Sequence, residues 1–327
     1  MAPRAFRSIE SVPKADLRLL LDEEGVMWAR DLAWGFEPTK HRIESAFDEG
    51  ALKGLVAYDD LGACAYATYA VDGHRGVIGS IFAAERARLE GLEAILVERI
   101  LRRLELAIVN PADSSGTDPD PPTIDCQTLF SSDRELSQPF RAMGFDSATR
   151  VYMDLEKEAW RRPERSSAIL PAFRRFARFD ISAAAQLVYE AHRETCPLDA
   201  CSSFDTRDSC ERILRQIVID EVCGSFDPSG SRVVENDQGM LALVILTWPY
   251  PAVAHLSEVA TATPFRRRGL GRECLAEALS VAFDQGGAKS VTLSVTASNH
   301  AAIALYDSLG FRPRVPYLSH VWRGPRA

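Results

Sequence analysis

The chain has 327 residues, a length that suits two domains better than one. Its composition, 46% hydrophobic and 26% charged, is that of an ordinary soluble globular protein, and a net charge of −8 argues against nucleic acid as the main partner. No apolar run approaches the ~20 residues that a membrane-spanning helix needs, and the longest, Met240–Trp248, is strand-sized.

The opening Met-Ala-Pro-Arg-Ala-Phe-Arg-Ser lacks the apolar stretch of a secretory signal, so a cytoplasmic location is expected. Apolar residues at helical spacing (Leu17, Leu20, Leu21) predict a helix within Lys14–Trp34, and Lys40–Asp48 predicts a further turn or two. Strands follow at Leu52–Tyr58, Ala63–Val71 and Arg75–Ala83, separated by Asp59-Asp60-Leu61-Gly62 and Asp72-Gly73-His74. Arg88–Ile108 is a long amphipathic helix with Leu92, Ile95, Leu96, Ile100 and Leu104 on one face. Asn110–Pro122 is a polar loop with too little hydrophobicity to pack. A strand at Thr123–Phe130, a helix at Asp133–Met143 stopped by Gly144, and a strand at Arg150–Leu155 complete this half. The charged segment Glu156–Ser167 reads as the linker.

The second half repeats the order. Ser182–His192 and Asp208–Val222 are helical, Arg232–Glu235 and Met240–Trp248 form a hairpin across Asn236-Asp237-Gln238-Gly239, and Pro249-Tyr250-Pro251 is expected to break the second strand. Val253–Thr261 is the third strand. A helix at Arg272–Gln285 ends at Gly286-Gly287, Ser290–Thr296 alternates cleanly, and Asn299–Leu309 is a helix stopped by Gly310 before a last strand at Tyr317–Trp322. Matching element order, rather than residue identity, indicates an internal duplication.

The halves differ between the third strand and the long helix. In the second half this joint carries Arg266, Arg267, Arg268, Gly269, Gly271 and Arg272, which line up backbone N–H groups and positive charge at a helix start; the natural guest is a phosphate. In the first half the joint is Ala84-Glu85-Arg86-Ala87-Arg88-Leu89-Glu90-Gly91, where paired glycines are lacking and two glutamates repel an anion. One half is therefore expected to keep only the scaffold. Seven cysteines fit reduced thiols better than a disulfide framework. Cys196, Cys201, Cys210 and Cys223 with His192 match no zinc spacing, so no metal is expected.

Arg266-x-x-Gly269-x-Gly271 after a strand resembles the Gln/Arg-x-x-Gly-x-Gly/Ala motif of the GCN5-related N-acetyltransferase (GNAT) superfamily. Asn299-x-x-Ala302-x-x-Leu305-Tyr306-x-x-x-Gly310-Phe311 is similar to that family's second motif, in the right order and with one helix and one strand between. The resemblance covers about half the chain well and the first half as a degenerate copy; in layout the tandem is similar to the mycothiol synthases. It implies a mixed α/β (α+β) fold of two tandem GNAT-like domains, each a mixed, largely antiparallel sheet flanked by helices. Residues 1–156 would be the degenerate domain and 168–327 the one with an intact acetyl-CoA motif.

By the same resemblance, Val259, Ala260 and Thr261 would hold the pantetheine arm of acetyl-CoA in a slot opened by splayed parallel strands. The loop Arg266, Arg267, Arg268, Gly269, Leu270, Gly271 and Arg272 would bind the pyrophosphate, with Arg268 left open between binding and simple exposure. Asn299, Ala302 and Tyr306 complete the cofactor set. Asn299, a preferred N-cap, serves equally as cap and as cofactor contact. Tyr306 is the candidate general acid, being protonated at neutral pH and two helical turns from Asn299; the alternative is an aromatic ring packing its helix on the sheet. Glu258 is the candidate base, with a plain ion pair as its alternative and His255 as its rival. Strict strand alternation would put Glu258 and His255 on opposite faces. The acceptor pocket would involve His192–Arg215, where Asp199 or Glu194 could meet a cationic amine. The implied reaction is transfer of an acetyl group from acetyl-CoA to the primary amine of a small molecule or peptide, by direct attack in a ternary complex without a covalent enzyme intermediate. The alternatives are a catalytically silent acyl-CoA-binding sensor or scaffold and, less favoured, transfer of a longer acyl group. Neither nucleic acid nor membrane is an expected partner, and oligomeric state is not encoded in these features.

Overall fold

The structure, a computed structural model, describes residues 5–32, 35–109, 122–128, 134–164, 172–195 and 201–324. The first half runs β1 (Ala5–Ser8), α1 (Lys14–Met27), α2 (Glu37–Asp48), β2 (Lys53–Asp59), β3 (Gly62–Asp72), β4 (Arg75–Ala83), α3 (Leu92–Val109), β5 (Thr123–Thr128), α4 (Arg134–Ala142) and β6 (Asp146–Glu156). The second runs β7 (Phe173–Arg175), α5 (Ile181–Thr195), α6 (Arg207–Val218), β8 (Ser225–Phe226), β9 (Arg232–Asn236), β10 (Gly239–Tyr250), β11 (Val253–Thr261), α7 (Leu270–Ser280), β12 (Ser290–Thr296), α8 (His300–Ser308) and β13 (Arg312–Arg323).

The expected strands and helices are present among the described residues, the expected loop lies outside them over 110–121, and the short strands β1, β7 and β8, too brief to show alternation, are additional. Both hairpins are closed by the same local chemistry. Asp59 Oδ1 accepts from the Leu61 N–H at 2.7 Å and Asn236 Oδ1 from the Gln238 N–H at 2.9 Å, each before a glycine with positive φ, Gly62 at 123° and Gly239 at 130°. Pro249 does not break β10. The strand continues to Tyr250 through a register shift between Thr247 and Tyr250, a place where a residue without an N–H is tolerated. The expected linker is only partly a linker, since Trp160 is buried and stacks on Phe283 with ring centroids 5.9 Å apart.

Two compact units divide the chain, and they do not follow its halves. The first comprises 1–148, 200–202 and 317–327, and the second 149–199 and 203–316. The first unit's sheet is ordered β1-β2-β3-β4-β5-β13, the second's β6-β12-β11-β10-β9-β7, with β8 beside β10. In each, every neighbouring pair is antiparallel except one, β4 with β5 and β11 with β12. The strand that closes each half in sequence therefore belongs to the sheet of the other unit: β6 pairs with β12 and β13 with β5. This departs from the division at 1–156 and 168–327. Alternating apolar residues identify a strand; they do not identify which edge it joins.

Each sheet is covered on both faces. In the second unit, α7 and α8 pack with Leu256, Leu293 and Phe311 into one core, while α5 and α6 pack with Val233, Leu243 and Ile245 into another. In the first, α3 contributes Leu92, Leu96, Ile100 and Leu104 at four-residue spacing to one face, and α1 contributes Leu17, Leu20 and Leu21 to the other.

One buried charge in the first unit carries a stability prediction. Glu24, 2% exposed on α1, accepts from the Tyr66 hydroxyl and, at 3.1 Å, from Trp28 Nε1. Burial outweighs both donors and pushes its carboxyl up to about 7. Because the folded value is raised, folding favours the protonated acid. Stability from this group is complete at low pH and is lost as pH rises through about 7, with a slope of about 1.4 kcal/mol per pH unit between the unfolded and folded values. Urea unfolding at several pH values should show Glu24→Gln flattening the parent's decline in this window. An identical pH dependence in both proteins would refute the assignment.

Candidate active site

The parallel pairing of β11 with β12 extends only over Val253–Ser290, Ala254–Val291 and His255–Thr292. Beyond His255 the strands separate. β11 remains paired with β10 as far as Thr261, and β12 with β6 as far as the Thr296–Arg150 pair. The gap is a cavity of about 600 Å³, within the range of small-molecule sites. Its walls are Leu256–Thr261 of β11, Leu293–Thr296 of β12, the start and outer face of α8, the arginine–glycine loop, and Ala191, His192 and Phe204.

The loop meets the geometric demands of close approach. Gly269 stands at the N-cap of α7 with φ +86°, and Arg267 also has a left-handed φ of +59°, uncommon for a side chain that size. A Cβ on Gly271 would lie 2.8 Å from Thr261 Oγ1, so a side chain here would require the threonine hydroxyl or the helix start to shift. Gly271→Val should force these elements apart and weaken acetyl-CoA binding about tenfold or more, near 1.4 kcal/mol. Isothermal titration calorimetry would measure this, and an unchanged Kd would show that the close approach does not matter for binding.

The arginines divide. Arg267 and Arg272 line the cavity. Arg266 also lines it, but its Nε donates to the Thr261 carbonyl at 2.9 Å and an Nη to the Ala191 carbonyl at 3.3 Å, which ties the loop to β11 and α5. Arg268 is absent from the lining, and its guanidinium lies 5.7 Å above the Phe265 ring. The Leu270 side chain is buried in the core, leaving only its backbone to face a ligand.

Asn299 caps α8, its Oδ1 accepting from the Ala302 N–H at 3.1 Å, and Asn299, Ala302 and Tyr306 all face the cavity, as two helical turns require. Tyr306 is 8% exposed and meets Phe311 edge-on at 5.8 Å. Burial first, then the Glu258 charge, raises its phenol above the ordinary value, and Arg150 opposes them.

Glu258 and His255 are separated by more than parity. Ile245 pairs with Glu258 and Leu246 with Leu256, which leaves Ser257 as a bulge and suspends strict alternation between the two residues. Glu258 lines the cavity and His255 does not. His255 Nδ1 is 2.8 Å from Thr292 Oγ1, and burial, aided by Arg150, lowers its value to about 4. That is a weak base held away from the cavity. Glu258, 7% exposed, accepts through Oε1 from the Val259 N–H at 3.0 Å, and His192 Nε2 lies 3.4 Å from the same oxygen. The Val259 N–H, on the wall of this cavity, is thus held by the Glu258 carboxylate and is a donor that an arm with amide carbonyls could take. With the glycine cradle, this donor fits the cofactor implied by the motifs. Among the described residues, no group of three or more His, Cys, Asp or Glu is placed to hold a metal ion, and no helix is long and apolar enough to cross a membrane.

Residues 187–311 match the acetyltransferase (GNAT) family. Over that stretch the chain is similar to the GNAT family. The [ribosomal protein bS18]-alanine N-acetyltransferase of Escherichia coli (strain K12) is 41% identical over 76 residues, 23% of this chain and 51% of that protein. The chain thus spans about half the length of the curated relatives it matches. A GCN5-related N-acetyltransferase from Sphaerobacter thermophilus superposes with a TM-score of 0.68 at 18% identity, covering 100% of this chain and 99% of that one. A tandem GNAT protein from the clavulanic acid biosynthesis pathway gives 0.51 at 14% identity, with 84% of each chain covered. At these identities the two likenesses concern the fold, and the second extends it to the tandem arrangement.

Against the GNAT-like stretch, the first unit's joint is occupied by its own side chains. The Glu85 N–H donates to Glu23 Oε1 at 2.7 Å, and Arg86 turns away to Asp59 and the Ala63 carbonyl. Cys196–Asp199 lie outside the described residues, as does the Glu194 side chain. Two functional positions escaped sequence reasoning. Arg150 reaches the cavity because β6 lies in the second unit's sheet. His192 was read as a discounted zinc-ligand candidate and as the edge of the acceptor region, and nothing in its local spacing points to Glu258, 66 positions away.

Proposed function

We propose that the GNAT-like domain transfers an acetyl group from acetyl-CoA to a primary amine of a small molecule or peptide, by direct attack in a ternary complex. The observation that carries this reading is the meeting of Glu258, Tyr306 and the Val259 N–H in one cavity beside the glycine-cradled start of α7. Acetyl-CoA, when bound, supplies the acyl group as an activated thioester. The N–H groups of the loop and the N-terminal end of α7 hold its pyrophosphate, with Arg267 and Arg272 adding charge. Val259 and Thr261 orient the pantetheine arm along β11. Glu258 accepts a proton from the incoming ammonium, since an amine, with an ordinary value of about 8 for a chain N-terminus and about 10 for an alkylamine, is mostly protonated at neutral pH and in that form cannot attack. Tyr306 gives a proton to the departing sulfur. The bS18-alanine relative and the chain's net charge of −8 favour an amine-bearing, cationic acceptor, and an N-terminal alanine is the first to try.

The test is CoA release from acetyl-CoA by the full chain with alanine-led peptides, spermidine and glucosamine. Release above background with at least one acceptor supports the reading. Tight acetyl-CoA binding by calorimetry, without release on any acceptor, would replace it with a silent acyl-CoA-binding protein.

A further inference from the structure

Glu258 poses a problem that its own strand does not solve. It is 7% exposed and lines a cavity that an acyl donor and an acceptor would fill, so with both bound a proton taken from the amine would have little direct access to water. One neighbour offers a route. His192 Nε2 is 3.4 Å from Glu258 Oε1, and its side chain is 23% exposed against 6% for Glu258. The imidazole is held by a parallel stack on Phe204, with ring centroids 3.7 Å apart and 1° between planes. Both rings line the cavity. The Val259 N–H binds the same carboxylate oxygen at 3.0 Å. A ligand that takes this N–H leaves Nε2 as the contact that keeps Oε1 in place.

We propose that His192 is the positioning residue of Glu258 and its proton outlet, an inference that rests on the reading of Glu258 as the base. The ammonium loses one proton to the Glu258 carboxylate, giving neutral amine and carboxylic acid. The acid passes this proton to Nε2 of neutral His192 and returns to carboxylate. The imidazolium then releases its Nδ1 proton to water, leaving a neutral ring whose Nε2–H donates to the Glu258 carboxylate, and proton exchange with water at the 23%-exposed ring restores the Nδ1–H tautomer before the next turnover. Among the described residues, the other charged or titratable groups around this pair include Arg266, tied to the Ala191 carbonyl beside His192, Tyr306 on α8, Arg150 on β6, and the cavity-lining Arg267 and Arg272. None of them links Glu258 to the exposed edge of α5.

The test uses the full chain and whichever of the alanine-led peptide, spermidine or glucosamine the parent acetylates. His192→Gln keeps a donor without a titrating ring, and His192→Phe keeps the stack without a nitrogen. Both should lower kcat about 10- to 100-fold while acetyl-CoA affinity stays within about twofold. In His192→Ala, added imidazole should restore at least about tenfold of the lost rate and bring back the parent's acidic limb in the pH profile. A merely structural role would not respond to imidazole. Gln and Phe variants that turn over within about twofold of the parent, with its pH profile, would overturn the proposal. That result is distinct from failure of the underlying reading, in which the parent itself is inactive or Glu258→Gln retains full activity. If His192→Ala does not fold, the Gln and Phe variants decide.

Discussion

Tyr306→Phe is expected to lower kcat by about 10²-fold while the Kd for acetyl-CoA stays within about twofold of the parent. The substitution isolates the hydroxyl. The ring is 8% exposed, belongs to the core beside α7 and α8, and meets Phe311 at 5.8 Å, so phenylalanine retains the packing and leaves no cavity. What is removed is the one proton donor that α8 presents near Glu258. Burial and the Glu258 charge both hold the phenol in its protonated form, against Arg150. The donor is therefore loaded throughout the neutral range, and Tyr306 contributes no basic limb to kcat below about pH 10. A departing thiolate can accept the proton only if it forms within reach of the hydroxyl. Steady-state rates and calorimetry together distinguish the possibilities. Turnover within about threefold of the parent would remove the acid role, and a raised Kd with unchanged kcat would make the hydroxyl a cofactor contact instead.

How much of this could be read from the sequence depends on the range of each interaction. Asn299 and Tyr306 lie seven residues apart on one helix, and helical period alone puts them on one face, where they both line the cavity. Gly271 was readable as a close approach, although the atom it approaches, Thr261 Oγ1, was not. The hairpin turns were legible because Asp59 and Asn236 bond within two residues of themselves. Long-range placement was not legible. β6 and β13 show the alternation of strands, but their hydrogen-bond partners lie more than 130 residues away in the sequence, and only the packed sheet decides which edge accepts them. Arg150 enters the site through that exchange. The relation of Glu258 to His255 went astray for a different reason. A single bulged residue, Ser257, reverses an argument built on period two, and no composition at 255–258 announces the bulge.

Glu258→Gln should have the largest effect on turnover, a loss of about 10²- to 10⁴-fold in kcat, with acetyl-CoA binding little changed. The amide keeps the shape of the carboxylate, and its oxygen can still accept from the Val259 N–H, so the strand and slot geometry persist. It cannot take a proton from an ammonium, and it presents no negative charge to hold one in the cavity. The acceptor's KM should therefore rise as kcat falls. One further readout separates a base from a plain electrostatic partner. If Glu258 takes the proton, raising pH towards the acceptor amine's own value, about 8 for an N-terminal α-amine and about 10 for an alkylamine, should recover part of the lost rate, because free amine then arrives already neutral. Removing the carboxylate also removes one of the two influences that raise the Tyr306 phenol, leaving burial alone, so the acid should remain protonated and the recovery should not be masked by its loss. A variant whose kcat falls without any recovery at high pH would point to Glu258 as a binder of the cationic acceptor. Parent-like kcat at neutral pH would remove it from the chemistry and leave the direct attack with another base.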